Sequence, residues 1–478
     1  MSAGVDLLAM DTTRLTRQDP NLAGLHVLVV GAGKSGLAAA RLAAGRGAHV
    51  TLCDRQDARR LANASREAGR LKITLHCGGH SPELADGADL LVVSPGVPAS
   101  VPLLERARER GLPVWGEVEL AARFCRGRIV GVTGSNGKST VTTMVGGILR
   151  GAGIAGGTGG NLDRPLSDLL EHDAPDAWHA LELSSFQLET VETLRADVAV
   201  MLNLSADHLD RHATLEAYAQ AKMRLLELQS TDDYAVLNAD DAESARFSSA
   251  VRGRLHLFST REAPAPGAYL QRGRLTLDTG QGEDDLLDVG ELPVPGAHNV
   301  SNALAAALAC RLAGCTPEAI TRGLREYRSL PHRLELVGQT GGVRFYNDSK
   351  ATNPASAACA LAAFPAGTVH LILGGRDKQA DWDALVTLVR SHAKRVLLVG
   401  EAATQLERLL EGTVPLRVSR TVPRAVEDGL EQARPGDVLL LAPGCASFDQ
   451  YTDFAARGED FRKTVLARID RDPGACDG

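Results

Sequence analysis

RIVGVTGSNGKST, residues 128–140, decides how this chain is read. RIVGVT (128–133) has the apolar, β-branched character of a buried strand. GSNGKS turns the chain, and TVTTMVGGILRGAG follows as a helix closed by glycine. A strand, a glycine-rich loop and a helix in that order cradle phosphate. Glycines let backbone N–H groups turn inward, and the helix N-terminus favours an anion. In this setting Gly134, Asn136 and Gly137 form the loop, Lys138 reaches the outer phosphates, and the hydroxyl of Ser139 or Thr140 faces a Mg²⁺ ion. The first glycine of the common phosphate-loop pattern falls at position 132, which is Val, so the match rests on the strand–loop–helix setting. The structural alternative is a glycine-rich turn with a surface lysine. The expectation is an enzyme that uses Mg–ATP.

Working outward, the same alternation recurs on both sides. Upstream, LHVLVV (25–30), AHVTLCD (48–54) and ADLLVVSPG (88–96) read as strands separated by helical runs. Downstream, WHALELSS (178–185) and ADVAVMLNLS (196–205) read as further central strands, and NVSNALAAALACRLAG (299–314) as a helix. The turn-rich stretch 258–296 predicts an antiparallel excursion. After LPHR (330–333) come VRFYND (343–348), VHLILGG (369–375), KRVLLVG (394–400) and DVLLLAPG (437–444). The fold class expected is α/β in three domains, each a mainly parallel sheet flanked by helices, at 1–117, 118–329 and 330–478. The first and last are Rossmann-like and the middle one is a phosphate-loop ATPase domain.

Composition agrees. A chain of 478 residues, at roughly 150 per domain, is long enough for about three cores. Hydrophobic residues at 44% and charged residues at 23% describe a globular chain; aromatics at 4% leave the cores to Ala, Val and Leu. A net charge of −7 without a basic block argues against a nucleic-acid binder. The eight cysteines form no C-x-x-C pair, which argues against a zinc site or a disulfide framework. Residues 1–20 lack an uninterrupted apolar stretch, and no window reaches the ~20 apolar residues of a membrane span. A cytoplasmic protein without membrane or nucleic-acid partners is expected.

Three further groups could serve a metal–phosphate site. Glu182 ends a central strand, where a carboxylate is costly to bury unless paired or metal-bound. His208 follows the next strand at its C-terminal end, where open α/β sheets bind ligands. Lys222 lies 14 residues on, in a helical run. Each has a plainer reading: a helix cap, a polar loop residue and a solvated lysine. In the first domain Gly31, Gly33 and Gly36 follow a strand, and Asp54 ends the next one. This fits a dinucleotide fingerprint, another nucleotide diphosphate, or simply a tight strand-to-helix turn.

Together these words resemble those of the Mur ligases. They are TGSNGKST (133–140), ELSSFQL (182–188), DHLDRH (207–212), AHNVSNALAA (297–306), LPHR (330–333), NDSKATNP (347–354), GGRDK (374–378) and CASFDQY (445–451). They cover nearly the whole chain, and SSFQ, NDSKATN and SFDQ point to the member that adds D-glutamate. The resemblance implies ATP, two Mg²⁺ ions, UDP-N-acetylmuramoyl-L-alanine and D-glutamate, with an acyl phosphate and then a tetrahedral intermediate, in a monomer. By the same resemblance Lys138, Ser139 and Thr140 serve the ATP phosphates and first metal, Glu182 and His208 ligate metal, and Lys222 is carbamylated. Asn299 and Asn302 lie on the adenine side, Arg333 meets phosphate and Asp348 the ribose. Lys378, Thr352, Ser447 and the backbone at Phe454, with Lys350 beside them, form the D-glutamate pocket. Asp54, Ser94, Pro95, Gly96 and Asn161 meet the UDP-muramoyl substrate. Two departures stand out. The family's Gly-Gly-Asp-Gly-Lys is here Gly-Gly-Arg-Asp-Lys, and Arg55 follows Asp54 where a hydroxyl residue is common. The alternatives are a sister ligase or folate-polyglutamate ligase using another amino acid, a nicotinamide oxidoreductase, and a non-catalytic nucleotide-binding protein.

Overall fold

The computed structural model describes residues 19–205, 209–212, 214–280, 282–378 and 380–470. It contains three sheets, each flanked by helices. By compactness the chain divides into two units, one of Met1–Glu291 with Ser301–Arg325, the other of Leu292–Val300 with Glu326–Gly478. The first unit holds two of the sheets and the second unit the third.

The first sheet is wholly parallel, in the order Thr74–Cys77, His49–Asp54, His26–Val30, Leu90–Val93, Val114–Gly116. Its central strands are continuous apolar runs because helices cover both faces. The helix Lys34–Gly45 lays Leu37, Ala38, Ala39, Ala40 and Ala43 on the sheet; alanine lets it sit close. Two glycines of the first turn answer to geometry. Gly31 has φ +96°, and a Cβ on Gly36 would collide with the Gly31 carbonyl oxygen. Gly33 has open space around it.

The second sheet has nine strands: Glu283–Asp288, Arg274–Asp278, Gly267–Gln271, Arg254–Ser259, Tyr234–Asn238, Val198–Met201, Arg128–Thr133, Trp178–Glu182, Thr158–Gly160. The antiparallel excursion expected from the turn-rich stretch is the meander at one edge, where Arg274–Asp278 runs against both of its neighbours. The remaining pairings are parallel. The strand Arg128–Thr133 lies between Trp178–Glu182 and Val198–Met201, with Val132 opposite Glu182 and Thr133 opposite Met201. That register brings Glu182 level with the start of the phosphate loop.

WHALELSS does not continue as strand to 185. Ser184 caps a short helix, Ser185–Leu188: its hydroxyl accepts the Gln187 N–H (3.3 Å), and Gln187 Oε1 accepts the Ser184 N–H (3.0 Å). This reciprocal cap satisfies amides that a strand would have left to a neighbour.

The third sheet runs Glu335–Thr340, Val343–Asn347, Val438–Leu441, Val369–Gly374, Ala393–Val399, Leu416–Arg420. Only the first pair is antiparallel, a hairpin turning through Gly341 and Gly342, both at positive φ. Among the described residues, no helix is long and apolar enough to cross a membrane.

Candidate active site

The phosphate loop is held from several sides. Gly137, at φ +84°, caps the helix Lys138–Gly151, and a Cβ there would come within 2.5 Å of Asn302 Oδ1. The Asn136 N–H donates to Asn203 Oδ1 (2.8 Å), and Asn203 Nδ2 donates back to the Asn136 carbonyl (3.1 Å). Ser135 Oγ donates to the Ser205 carbonyl (3.1 Å), accepts the Ser205 N–H (2.9 Å) and lies 3.3 Å from the Tyr218 hydroxyl. Lys138 folds back over the loop, its Nζ donating to the carbonyls of Gly134 (2.9 Å) and Ser135 (2.8 Å). Thr140, half-buried, follows Ser139 on the first helical turn.

Glu182 is 4% exposed, and side chains meet both of its carboxylate oxygens. The Ser139 hydroxyl donates to its Oε2, and Asn161 Nδ2 donates to Oε1 (2.8 Å) while the Asn161 N–H reaches the Glu182 carbonyl (2.8 Å). Asn161, assigned by resemblance to the nucleotide-sugar, is therefore seated on the carboxylate beside the phosphate loop. Lys222 lies on the helix Leu215–Glu227 and is only 1% exposed, so it is no solvated helix lysine. Its Nζ donates to the Gly134 carbonyl (2.8 Å), lies 3.3 Å from Thr133 Oγ1, and sits 4.5 Å from the Tyr218 ring centroid. A lysine and a carboxylate are thus buried on either side of one glycine loop. His208 lies outside the described residues. Near this cluster, His212 Nε2 is 2.9 Å from Ser185 Oγ, and the His212 ring stacks on Phe186.

At the end of the first sheet, Asp54 Oδ2 accepts the Ala32 N–H (2.8 Å) and Oδ1 the Gln56 N–H (2.9 Å). Its carboxylate buttresses the glycine turn. Ser94 Oγ donates to the Gly31 carbonyl (3.0 Å), Pro95 offers its carbonyl to Arg211, and Gly96 is exposed. Arg55 is exposed.

In the second unit the bridge between Arg376 and Ala446, with N–H to carbonyl bonds in both directions (2.8 and 3.0 Å), brings the loop bearing Lys378 beside the one bearing Ser447. The Gly-Gly-Arg-Asp-Lys departure finds its partners here. Arg376 makes a two-pronged pair with Glu401 (3.1 and 2.9 Å), and Asp377 accepts from Gln405 Nε2 (3.2 Å) and the Ala380 N–H (3.3 Å). Lys378 is exposed and Ser447 buried, the latter's carbonyl accepting the Tyr451 N–H (2.9 Å). Thr352 is half-buried. The Phe454 carbonyl accepts from Ser349 Oγ (2.8 Å), which in turn accepts from Arg457 Nε (3.0 Å). Lys350 Nζ lies 4.0 Å above the Phe454 ring. Burial pushes the Asp348 carboxyl up to about 7, against the lowering pull of the Leu334 N–H and the Arg333 charge. Asn299 Nδ2 donates to the Pro295 carbonyl (2.7 Å).

Family models match in sequence order: the Mur ligase MurD-like N-terminal domain over residues 25–116, the Mur ligase middle domain over 132–310, and the Mur ligase glutamate ligase domain over 332–445. The chain belongs to the Mur ligase family. Among curated relatives, it is 45% identical over 448 residues to the UDP-N-acetylmuramoylalanine–D-glutamate ligase of Acidobacterium capsulatum, covering 93% of this chain and 97% of that protein. The ligase of the same name from Solibacter usitatus is 44% identical over 444 residues, covering 93% and 98%. Among solved structures, a pseudomurein peptide ligase type C from Methanothermus fervidus matches with TM-score 0.60 at 18% identity, over 93% of this chain and 100% of that one. The UDP-N-acetylmuramate–alanine ligase of Thermotoga maritima matches with TM-score 0.58 at 19% identity over the same shares. These two likenesses concern the fold.

Proposed function

We propose that this chain is an ATP-dependent ligase that joins D-glutamate to UDP-N-acetylmuramoyl-L-alanine, giving ADP and phosphate, in cytoplasmic peptidoglycan precursor synthesis. The 45% identity to a D-glutamate ligase along 97% of that protein's length carries the choice of substrate. The phosphate loop, with Ser139 tied to Glu182 on the adjacent strand, supports the use of ATP.

A carboxylate does not react with an amine at neutral pH because oxide would have to leave. Transfer of the outer ATP phosphoryl to the alanine carboxylate makes an acyl phosphate and releases ADP. The neutral amine of D-glutamate then adds to the carbonyl, and the tetrahedral intermediate expels phosphate and leaves the amide. Lys138, drawn off the Gly134 and Ser135 carbonyls, would reach the transferring phosphoryl, which needs positioning and charge more than covalent help. The hydroxyl of Ser139 and the carboxylate of Glu182 are hard oxygen donors of the kind Mg²⁺ selects, and they already lie in contact. They would hold a first ion, with Thr140 on the phosphates; His208 and a carbamylated Lys222 would hold a second. Such ions neutralise charge on the phosphates. As an ammonium Lys222 offers no metal ligand, whereas a carbamate replaces its buried positive charge with oxygens. Asn299 and Asn302 would meet adenine, Asp348 the ribose and Arg333 a phosphate. Lys378 and Ser447 would take the two carboxylates of D-glutamate, with Thr352, Lys350 and the Phe454 backbone around them. Asp54, Ser94, Pro95, Gly96 and Asn161 would serve the UDP-muramoyl substrate. We assign these tasks to domains at 1–117, 118–329 and 330–478 of a monomer.

The test is phosphate release from ATP with UDP-N-acetylmuramoyl-L-alanine, comparing D-glutamate with L-glutamate, L-alanine, glycine and meso-diaminopimelate. Release that needs the nucleotide-sugar and prefers D-glutamate is the expected result. Preference for another amino acid would keep the ligase chemistry and overturn the roles of Lys378, Thr352 and Ser447.

A further inference from the structure

Arg211 is the last residue but one of the short helix Leu209–His212, and its side chain is mostly covered. One end of its guanidinium donates to the Pro95 carbonyl (Nη1, 2.7 Å), the other to Glu189 Oε2 (Nη2, 3.0 Å). The plane between them lies 4.2 Å over the Phe186 ring. Glu189 is shared with His212, whose Nδ1 is 3.4 Å from Oε1. Ser94, Pro95, Gln187, Glu189 and Arg211 line one small cavity of about 40 Å³. Pro95 and Gly96 are poor at holding a loop in place, the one lacking a donor and the other a side chain. Arg211 supplies the tie from outside the first sheet.

We propose that Arg211 is a positioning residue for the nucleotide-sugar. It holds the 94–96 loop of the first sheet in register with the capped Ser185–Leu188 turn, and through it with Glu182 and the phosphate loop. The claim rests on the reading of Ser94–Gly96 as a UDP-muramoyl contact. The chemistry explains the choice of arginine: a planar fork with an aromatic face beneath it has two fixed donors, whereas lysine reaches one acceptor and loses the stack. Arg211 does not touch the reacting atoms in this account, so its loss should be felt in substrate placement and not in phosphoryl chemistry.

The experiment compares steady-state kinetics of the full-length wild type with Arg211→Lys, Arg211→Ala and Glu189→Gln, alongside thermal melts. Loss of a charge-assisted bond predicts a KM for UDP-N-acetylmuramoyl-L-alanine raised about tenfold in Arg211→Lys and further in Arg211→Ala. The KM values for ATP and D-glutamate should stay within about twofold and kcat within about threefold, since uniform binding is what is lost. Glu189→Gln should show a smaller rise of the same kind, and it decides the matter if Arg211→Ala fails to fold. An unchanged KM for the nucleotide-sugar, or a parallel change in all three KM values with a lowered melting temperature, would overturn the proposal. A wild type with no activity on this nucleotide-sugar would instead remove the functional reading and this one with it. An active wild type with an indifferent Arg211→Lys removes only this one.

Discussion

Around the phosphate loop the charged groups are already engaged with protein. Lys138 and Lys222 share the Gly134 carbonyl, and both oxygens of Glu182 accept from side chains. At the end of the third sheet Lys378 stands in solvent, and the polar contacts around it join its neighbours Arg376 and Asp377 to the scaffold instead. The proposed function gives this difference a reason in what each region would recognise. On the proposed reading Lys138 is held at the loop by neutral carbonyls, weaker partners that a phosphate can displace. On the same reading the exposed Lys378 would meet a substrate carboxylate without first giving up another.

The strongest way to break this comparison is in the loop itself. Lys138→Ala and Glu182→Gln should each lower kcat by roughly 10³-fold while melting temperature changes little, as expected for charges aimed at a transferring phosphoryl. A loss of only a few fold would mean that the prearranged cluster is structural. Next in size, Lys378→Ala should raise KM for D-glutamate by about a hundredfold, at nearly constant KM for ATP, the cost of a charged partner removed from a carboxylate.

Glu117 sharpens the contrast between matched and unmatched burial. It is as buried as Glu182, yet only Oε1 has a partner among the described residues, the Ser167 N–H (2.7 Å). Burial pushes its carboxyl from 4.5 up to about 7, against the lowering pull of the Ser167 N–H. The folded protein therefore holds this proton more tightly than the unfolded chain. Stability from this group is full below pH ~4.5 and is lost as pH rises through about 7, by on the order of 3 kcal/mol. Denaturation of wild type and Glu117→Gln at pH 5 and pH 8 measures it; an equal gap at both pH values would refute it. The smallest effect belongs to Arg376→Ala. Its pair with Glu401 is exposed, and activity should change less than about threefold because surface ion pairs stabilise little. A large rise in KM for D-glutamate would show that the pair orders Lys378.

Much of this architecture is written locally. RIVGVT, LHVLVV and VHLILGG are long apolar runs, and they form strands within a residue or two of the spans read from sequence. Thr74–Cys77, Val114–Gly116, Thr158–Gly160 and Leu416–Arg420 went unread because they are short, polar or glycine-rich and are strands only by virtue of a neighbour. In the site, the letters of the phosphate loop carry their own chemistry. The burial of Lys222 does not: its helical run AYAQAKMRLL has the same letters whether that face meets solvent or Tyr218. Arg211 and Asn203 were missed for a related reason. Both work through contacts more than 60 residues away in sequence, Asn203 on Asn136 and Arg211 on Pro95.

The nine-stranded sheet ends on one side in Glu283–Asp288, whose sequence EDDLLD sets four acids along six residues, and on the other in Thr158–Gly160, only three residues long. An open strand edge is a template on which another chain can add and aggregate. One border carries charged side chains, Asp284 paired with Arg311 and Asp285 with Arg274, and the other is too brief to seed such an addition. A sheet of nine strands, with the phosphate-loop strand third from its brief border, thus offers little template for strand addition at either end. Replacing the four acids with threonine or valine would turn that border into a place where copies of the protein zip together.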